Sequence, residues 1–346
     1  MSIPSHLRER FGRLLRRTQA VYGLVSRSPA ILHVQIYQDT LGEMLESFAM
    51  IFQALRGRSL AILCSHGGLD ERLLEGSLQL KAPCVETFPD VRFYHLCNQA
   101  ESMPRWLDHG LEAIHCSHNA FVDERVYFPH ESVGKSYHAV YDARLVPLKR
   151  HALAAQVEKL ALIYYVVPLV DDLNYAEKVQ QDFRHAHFFN HRQGIYQRLD
   201  APAINDCLNR CRVGLCLSEA EGAMYASVQY LLSGLGVVST PSLGGRDDFM
   251  VAEHSLIAEP NPHSVSQAVD QLLARQLDPW DVHHSALQRI QPHRRRFFEL
   301  VQSILETHGE RRRFEEEWPA LFFNRFLGNQ SHHEALQWFY GAGRPP

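Results

Sequence analysis

Residues 218–222 combine side chains and a glycine suited to holding a polar ligand. The segment contains Ser218, Glu221 and Gly222 and follows an apolar run at residues 213–217. Gly222 lets the backbone approach a ligand closely, and the Glu221 carboxylate can accept hydrogen bonds from hydroxyl groups. Because a helix follows, its free N–H groups also favour an anion here. The segment therefore predicts a phosphate or polar-ligand loop.

A second loop, residues 240–246, follows the next apolar run and ends in Gly244, Gly245 and Arg246. Two glycines and an arginine suit a diphosphate. With a helix predicted over residues 223–233, both loops belong to one βαβ unit and open on the same edge of a parallel sheet. The alternative is that the glycines serve turns and the glutamates favour a helix N-terminus. The coincidence of both loops in one unit favours binding.

The rest of the sequence predicts the sheets that position these loops. Short apolar runs ending in turn residues alternate with amphipathic stretches, which is typical of parallel sheets covered on both faces. At 346 residues the chain is expected to form two α/β domains. The predicted strands cover residues 31–37, 60–64, 91–96 and 113–116 in the first part, and 139–143, 160–167, 186–190, 213–217 and 236–240 in the second.

A change of domain is predicted near Pro129 and Gly134, where the alternation is interrupted. We place one domain at residues 1–133 and a second at residues 134–287. Residues 288–346 are predicted to be helices rich in Phe, Trp and Leu. A tail this apolar must dock, and packing back on the N-terminal domain is expected.

Composition limits the class of partner. A formal charge of -4 argues against bulk nucleic-acid binding and favours small-molecule ligands. Seven cysteines without paired spacing predict reduced thiols in a cytoplasmic protein. No apolar run approaches the ~20 residues of a membrane span, although the basic stretch 8–17 is compatible with peripheral membrane contact.

Three stretches resemble the retaining family 4 glycosyltransferases of the GT-B fold. Ser218 to Gly222, followed by the helix and by Gly-Leu-Gly-Val-Val-Ser-Thr at 234–240, is similar to the family's donor-site signature. Arg-Leu-Val-Pro-Leu-Lys at 144–149 resembles its R-L-x-x-x-K segment, although Arg150 stands where the family commonly has glycine. Asn-Ala-Phe-Val-Asp at 119–123, with Phe-Pro at 128–129, resembles the end of its acceptor domain. The matches run in family order over residues 119–260, under half of the chain.

The resemblance implies two Rossmann-like domains whose parallel sheets face a central cleft, the first on the acceptor side and the second binding the donor. It implies transfer of a hexose-type unit from a nucleotide-diphosphate sugar to an unknown acceptor, with retention and without a metal or another cofactor. Arg144 and Lys149 would neutralise the departing diphosphate, and Glu221 would contact the transferred sugar. In the family, a second acid binds the ribose of the nucleotide, and Gln229 occupies its position. Gln229 lies eight residues after Glu221, which is about 12 Å along a helix. The acceptor is left open among a glycan, a lipid, a small molecule and a protein.

Histidines at strand ends supply further candidates. His66, with Gly67, and His118 follow predicted strands and could orient acceptor or sugar phosphate, although chance placement is equally compatible with 21 histidines. Arg192 is expected near the nucleotide base, by analogy with the fold. His185, His187 and His191 alternate along a predicted strand without a carboxylate pair, so no metal site is predicted. The predicted donor-binding set consists of Ser218, Gly222, Ala223, Gln229, Gly244, Gly245, Arg192, His66 and Gly67, and the catalytic set of Glu221, Arg144, Lys149 and His118.

Two alternatives to a glycosyltransferase remain. Gln229 in place of an acid makes a non-catalytic sugar-nucleotide-binding or scaffold protein of the same fold conceivable. The fold is also compatible with another GT-B enzyme, such as an epimerase or a phosphorylase.

Overall fold

The computed structural model describes residues 23–37, 55, 57–165, 171–192, 195–321, 334 and 337–339. The chain divides into two compact units, residues 1–121 with 292–346 and residues 122–291. The first division lies ahead of the boundary predicted at residue 133, because residues 122–133 belong to the second unit.

The first unit contains a five-stranded sheet in the order β1-β2-β3-β4-β5. Strands β2 to β5 are parallel, and β1 pairs with β2 in the antiparallel direction. The strands are β1 (Gly23–Ser26), β2 (Ala30–Ile36), β3 (Leu60–His66), β4 (Val91–Cys97) and β5 (Glu112–His115), with helices α1 (Asp70–Thr87) and α2 (Met103–Asp108). The predicted strands of the first part thus coincide with β2 to β5, while β1 was not predicted. Apolar residues at helical spacing, Leu41, Leu45, Phe48, Ile51 and Phe52, also predict a helix from the sequence, but this stretch lies outside the described residues.

The second unit contains a six-stranded sheet in the order β13-β12-β11-β6-β7-β8, parallel throughout. Its strands are β6 (Tyr137–Asp142), β7 (Leu160–Ile163), β8 (His187–Phe188), β11 (Cys211–Cys216), β12 (Gly236–Ser239) and β13 (Ser255–Ile257), and a short hairpin joins β9 (His191–Arg192) to β10 (Ile195–Tyr196). Its helices are α3 (Leu173–Asp182), α4 (Ala201–Asn209), α5 (Tyr225–Leu232) and α6 (Pro262–Ala274). The predicted strands of the second part are confirmed, although β7 ends earlier and β13 was not predicted.

Two helices follow, α7 (Pro279–Thr307) and α8 (Phe314–Leu321). Within the first unit, Phe297, Val301 and Trp318 pack in one apolar cluster with the sheet residues Ile31 and Leu63. The described part of the tail therefore buries its apolar residues against the sheet of the first unit. Among the described helices, none combines the length and the apolar character needed to cross a membrane.

Candidate functional site

Three loops of the second unit begin at the carboxyl ends of neighbouring parallel strands. They follow β6, β11 and β12, which are adjacent in the order β12-β11-β6. Parallel strands end at the same edge of a sheet, and this edge is where open α/β sheets bind ligands. The loops predicted from residues 218–222 and 240–246 and the segment 144–149 therefore share one edge.

Backbone pairing joins two of these loops. The Glu221 N–H donates to the Leu243 carbonyl at 2.8 Å, and the Leu243 N–H donates to the Glu219 carbonyl at 2.9 Å. Ala220 and Leu243 thereby form a parallel bridge beyond the ends of β11 and β12. The two loops continue the sheet pairing, so their backbones are held together without a ligand.

Lys149 and Glu221 meet at this edge. The Lys149 Nζ forms an ion pair with the Glu221 Oε1, and the two side chains are 14% and 12% exposed. The Ser218 Oγ donates to the same carboxylate oxygen at 2.7 Å. Behind them, the buried Tyr141 hydroxyl donates to the Lys149 carbonyl at 2.5 Å and anchors that turn. The structure thus brings together three predicted residues from two loops.

Arg144 is paired with a residue that the sequence analysis did not single out. Its guanidinium binds the carboxylate of Asp171, whose side chain is buried. This hydrogen bond raises the pKa of Arg144 above its ordinary value. The acidic pair 171–172 after the predicted strand 160–167 was the signal that could have identified this partner.

The Arg246 side chain is not exposed to solvent, as a side chain that binds a diphosphate would be. It is fully buried. The Nη1 donates to the Ser218 carbonyl at 2.6 Å, and the Nη2 donates to the Thr240 carbonyl and the Ser239 Oγ, each at 2.6 Å. Arg246 therefore ties the ends of β11 and β12 together, and the predicted diphosphate contact is corrected to a structural role.

Gly244 and Gly245 lie on the loop that Arg246 anchors. Gly244 has a φ of 102°, a region that favours glycine, and Gly245 is buried at the start of a short 3-10 turn. Gly222 is buried and Ala223 is partly buried in the segment before α5. The donor contacts predicted for these four residues stay predictions.

Gln229 is turned away from solvent. It is 3% exposed, and its Nε2 donates to the Tyr127 hydroxyl at 2.9 Å. The helix α5 begins at Tyr225, so Glu221 precedes it and the helical spacing assumed between Glu221 and Gln229 does not hold. Tyr127 was missed because nothing in its own sequence neighbourhood points to a glutamine a hundred residues away.

The side chain of Tyr230, the next residue of α5, packs on β11 and reaches the end of β6. Its hydroxyl accepts a hydrogen bond from the Asp142 N–H at 2.6 Å, at the end of β6. The ring lies so close to Gly214 that a Cβ there would be 2.2 Å from it. A glycine within β11 is therefore what allows α5 to approach the strand ends.

His66 and His118 belong to the first unit and are buried. The His66 Nδ1 lies 2.6 Å from the Asp70 Oδ1, and its Nε2 lies 3.4 Å from the His95 Nδ1. The His118 N–H donates to the Asn98 Oδ1 at 3.0 Å. Both histidines therefore take part in hydrogen bonding beneath the surface, and their predicted contact with a ligand stays a prediction.

Asp70 is the centre of that network. Besides His66 it accepts hydrogen bonds from the backbone N–H groups of Asn98 and Gln99 and from the Ser102 Oγ. Burial alone would raise the pKa of Asp70, but the hydrogen bonds from His66, Ser102 and Asn98 lower it below its ordinary value. Ligand atoms of His66, Asp70 and Cys97 lie within 4.8 Å of one another. Because four donors already occupy the carboxylate, its arrangement is that of a structural network.

Gly67 and Arg192 complete the predicted set. A Cβ at Gly67 would lie 2.4 Å from the ring of Tyr37, an exposed side chain that would have to move aside. The backbone of Arg192 lies in β9, but its side chain is outside the described part of the chain. His185, His187 and His191 contact different rings, those of Phe183, Tyr137 and Tyr164. The expectation that no metal is needed stays a prediction.

Comparison with known proteins identifies the fold. No protein-family model matches the sequence, and no curated protein matches it either. Solved structures do match. The sucrose-phosphate synthase of Thermosynechococcus elongatus superposes with a TM-score of 0.58 at 14% identity, over 80% of this chain and 74% of that one. HepE of Anabaena, in complex with UDP, gives 0.56 at 13% identity, over 76% and 84%.

The fold is that of the GT-B glycosyltransferases. A third GT-B structure, a point mutant of TarM from S. aureus, superposes with a TM-score of 0.51 at 12% identity, over 73% of this chain and 58% of that one. At such identities the likeness establishes the fold alone.

Proposed function

We propose that this chain is a glycosyltransferase that takes its sugar from a nucleotide-diphosphate donor at the edge formed by β6, β11 and β12. The observation that carries the proposal is the meeting of Lys149, Glu221 and Ser218 at adjacent parallel strand ends. The GT-B fold supports it, since its solved examples include HepE in complex with UDP and with UDP-glucose. The family 4 resemblance, retention and metal independence are part of the proposal.

The charges of the site suit the departure of a nucleoside diphosphate. Negative charge develops on the leaving phosphate, and a fixed cation in a partly dry cleft stabilises that charge most in the transition state. Lys149 is mostly shielded from solvent and can supply this charge. Glu221 keeps its hydrogen bond from Ser218 when Lys149 turns to a phosphate, so its carboxylate remains oriented for sugar hydroxyls.

Retention needs no protein nucleophile in this scheme. The leaving phosphate itself accepts the proton of the acceptor hydroxyl while the sugar passes through an oxocarbenium-like state. Arg144 assists by its charge, although Asp171 already balances part of it. In this scheme the protein binds and orients the donor and stabilises the charge on the leaving phosphate.

Donor binding and slow donor hydrolysis test the proposal. UDP-, GDP- and ADP-sugars are added separately, and binding is measured by calorimetry and release of nucleoside diphosphate by a coupled assay, with and without EDTA. We expect Lys149→Ala to weaken donor binding about 10- to 100-fold, because a charge-assisted hydrogen bond contributes about 1.5–3 kcal/mol. Glu221→Ala should abolish hydrolysis.

Lys178→Ala is the matched control, because Lys178 forms an exposed ion pair with Asp182 on α3. It should leave both readings unchanged. Binding without turnover toward any acceptor would support the alternative of a non-catalytic sugar-nucleotide-binding protein, for which Gln229 in place of the family's second acid is the motivating observation. Wild-type binding in both site variants would reject the site.

A further inference from the structure

Arg150 has a backbone conformation that is unfavourable for a residue with a side chain. Its φ of 48° and ψ of 45° lie in the left-handed region. Such a conformation persists only where the surroundings hold it, and it clusters at functional sites. Arg150 directly follows Lys149, so the left-handed turn sets the direction in which the chain leaves the proposed phosphate-binding residue.

The guanidinium of Arg150 holds this turn in place through two hydrogen bonds. Its Nε donates to the Leu217 carbonyl at 2.6 Å, and its Nη2 donates to the Thr240 Oγ1 at 2.8 Å. Thr240 in turn donates from its Oγ1 to the Leu217 carbonyl at 3.3 Å. Leu217 and Thr240 are the first residues after β11 and β12, so a single side chain connects the loop after β6 to both neighbouring strand ends.

We propose that Arg150 is a positioning residue that holds Lys149 against Glu221 by bracing its turn on the ends of β11 and β12. The inference rests on the proposed function for its catalytic meaning, but the brace itself is a property of the protein alone. Two of the three guanidinium nitrogens already donate to protein oxygens, which favours bracing over direct phosphate binding. A glycine at this position would adopt the same turn but would provide no brace.

The chain offers a matched control for this difference. Lys159, with a φ of 44°, is another non-glycine residue in the left-handed region, and it directly precedes β7, at the amino end of that strand. Arg150→Gly and Lys159→Gly both relieve an unfavourable backbone conformation, but only the first removes the brace. Arg150→Lys keeps the charge and loses the planar fork that reaches two acceptors.

Hydrogen exchange of the protein without ligand tests the brace. We expect Arg150→Gly to speed exchange of the Glu221 and Leu243 amides about tenfold, and Lys159→Gly to leave it unchanged, with thermal midpoints of both variants close to wild type. Wild-type exchange in Arg150→Gly would overturn the inference, whether or not a donor has been found.

Donor kinetics then separate positioning from a merely structural role. Arg150→Gly should lower the turnover of donor hydrolysis about tenfold with a smaller effect on KM, and Arg150→Lys should recover only part of it. Faster exchange with wild-type kinetics would overturn the positioning role. If Lys149→Ala and Glu221→Ala bind and hydrolyse donor normally, the proposed function fails instead, and the exchange experiment alone decides whether the brace exists.

Discussion

Two cations near the same sheet edge have different roles because their exposure differs. Arg246 is fully buried and donates to the ends of β11 and β12, whereas the Lys149 side chain keeps partial access to solvent beside Glu221. The Arg246 guanidinium cannot turn to a ligand without leaving the buried oxygens that accept its hydrogen bonds unsatisfied. Residue type alone does not distinguish the two, so the sequence suggested a diphosphate contact for both.

Replacing Arg246 should therefore cost stability. We expect Arg246→Met to lower the free energy of unfolding by about 3–5 kcal/mol, because it removes the donor that the buried Ser218 and Thr240 carbonyls now share, and each unsatisfied buried group costs about 1–3 kcal/mol. Urea denaturation measures this difference. Arg275→Met is the control, since Arg275 also donates to two backbone carbonyls but from an exposed position. A loss below about 1 kcal/mol for Arg246→Met would contradict a structural role.

Gln229 gives a second prediction at this scale. Because its amide is buried against Tyr127, Gln229→Leu should lower the free energy of unfolding by about 1 kcal/mol and leave donor affinity unchanged. Calorimetric titration of the variant with the best-binding nucleotide sugar provides the comparison. A clear rise in donor Kd would instead restore the ribose contact implied by the family 4 resemblance.

At the scale of elements, the site depends on how closely α5 packs on β11. Tyr230 spans that contact, and its hydroxyl reaches the backbone at the end of β6. The atoms nearest to a Cβ at Gly214 include the Cβ and Cγ of Tyr230, the near end of the side chain. They cannot move aside without shifting the helix itself.

Gly214→Ala should therefore destabilise the second unit by about 1–3 kcal/mol, the usual cost of overpacking. In a Tyr230→Ala background the same substitution should cost almost nothing, because the clash has been removed. A double-mutant cycle by chemical denaturation measures the coupling. Equal costs in both backgrounds would show that Tyr230 is not what excludes a side chain at position 214.

The strands of both sheets could be predicted where they are buried apolar runs, as at residues 60–64 and 213–217. The missed strands, β1 and β13, have four and three residues and lie at sheet edges, so they carry little apolar pattern. The family 4 resemblance placed Lys149 and Glu221 in one donor site, but the ion pair between them and the roles of Arg150 and Arg246 were not predicted. Those roles depend on which carbonyl groups the fold brings within reach, and composition and spacing do not encode that.

At the scale of the whole molecule, buried histidines should make stability depend on pH. Burial lowers the pKa of His33 and of His95 well below the ordinary value, with a further contribution from His118 to the first and from His66 to the second. Below about pH 6.5 the histidines of the unfolded chain become charged, whereas these two stay neutral in the folded chain. The unfolded chain therefore binds more protons than the folded chain does.

The stabilising contribution of these two residues is complete above that pH and is lost as the pH decreases. Together they should remove about 2.5 kcal/mol from the free energy of unfolding between pH 7 and pH 5.5. Urea denaturation at both pH values gives the loss. Burial also lowers the pKa of His151, to about 4, so this histidine adds to the loss in the same direction. His95→Gln should therefore reduce the total loss by about 1.2 kcal/mol, and Asp70, whose pKa is lowered, should contribute only at more acidic pH. An unchanged loss in His95→Gln would place the pH dependence elsewhere.

The pairing between residues 219–221 and Leu243 has a consequence for the rate at which the proposed nucleotide-sugar donor binds. Since the two loops already pair as neighbouring strands do, the conformational entropy of ordering them is lost during folding and not during association. These two loops do not have to close over the ligand after it binds. Rapid mixing with a nucleotide sugar should then give a single exponential whose rate rises linearly with ligand concentration, the behaviour of a preformed receptor.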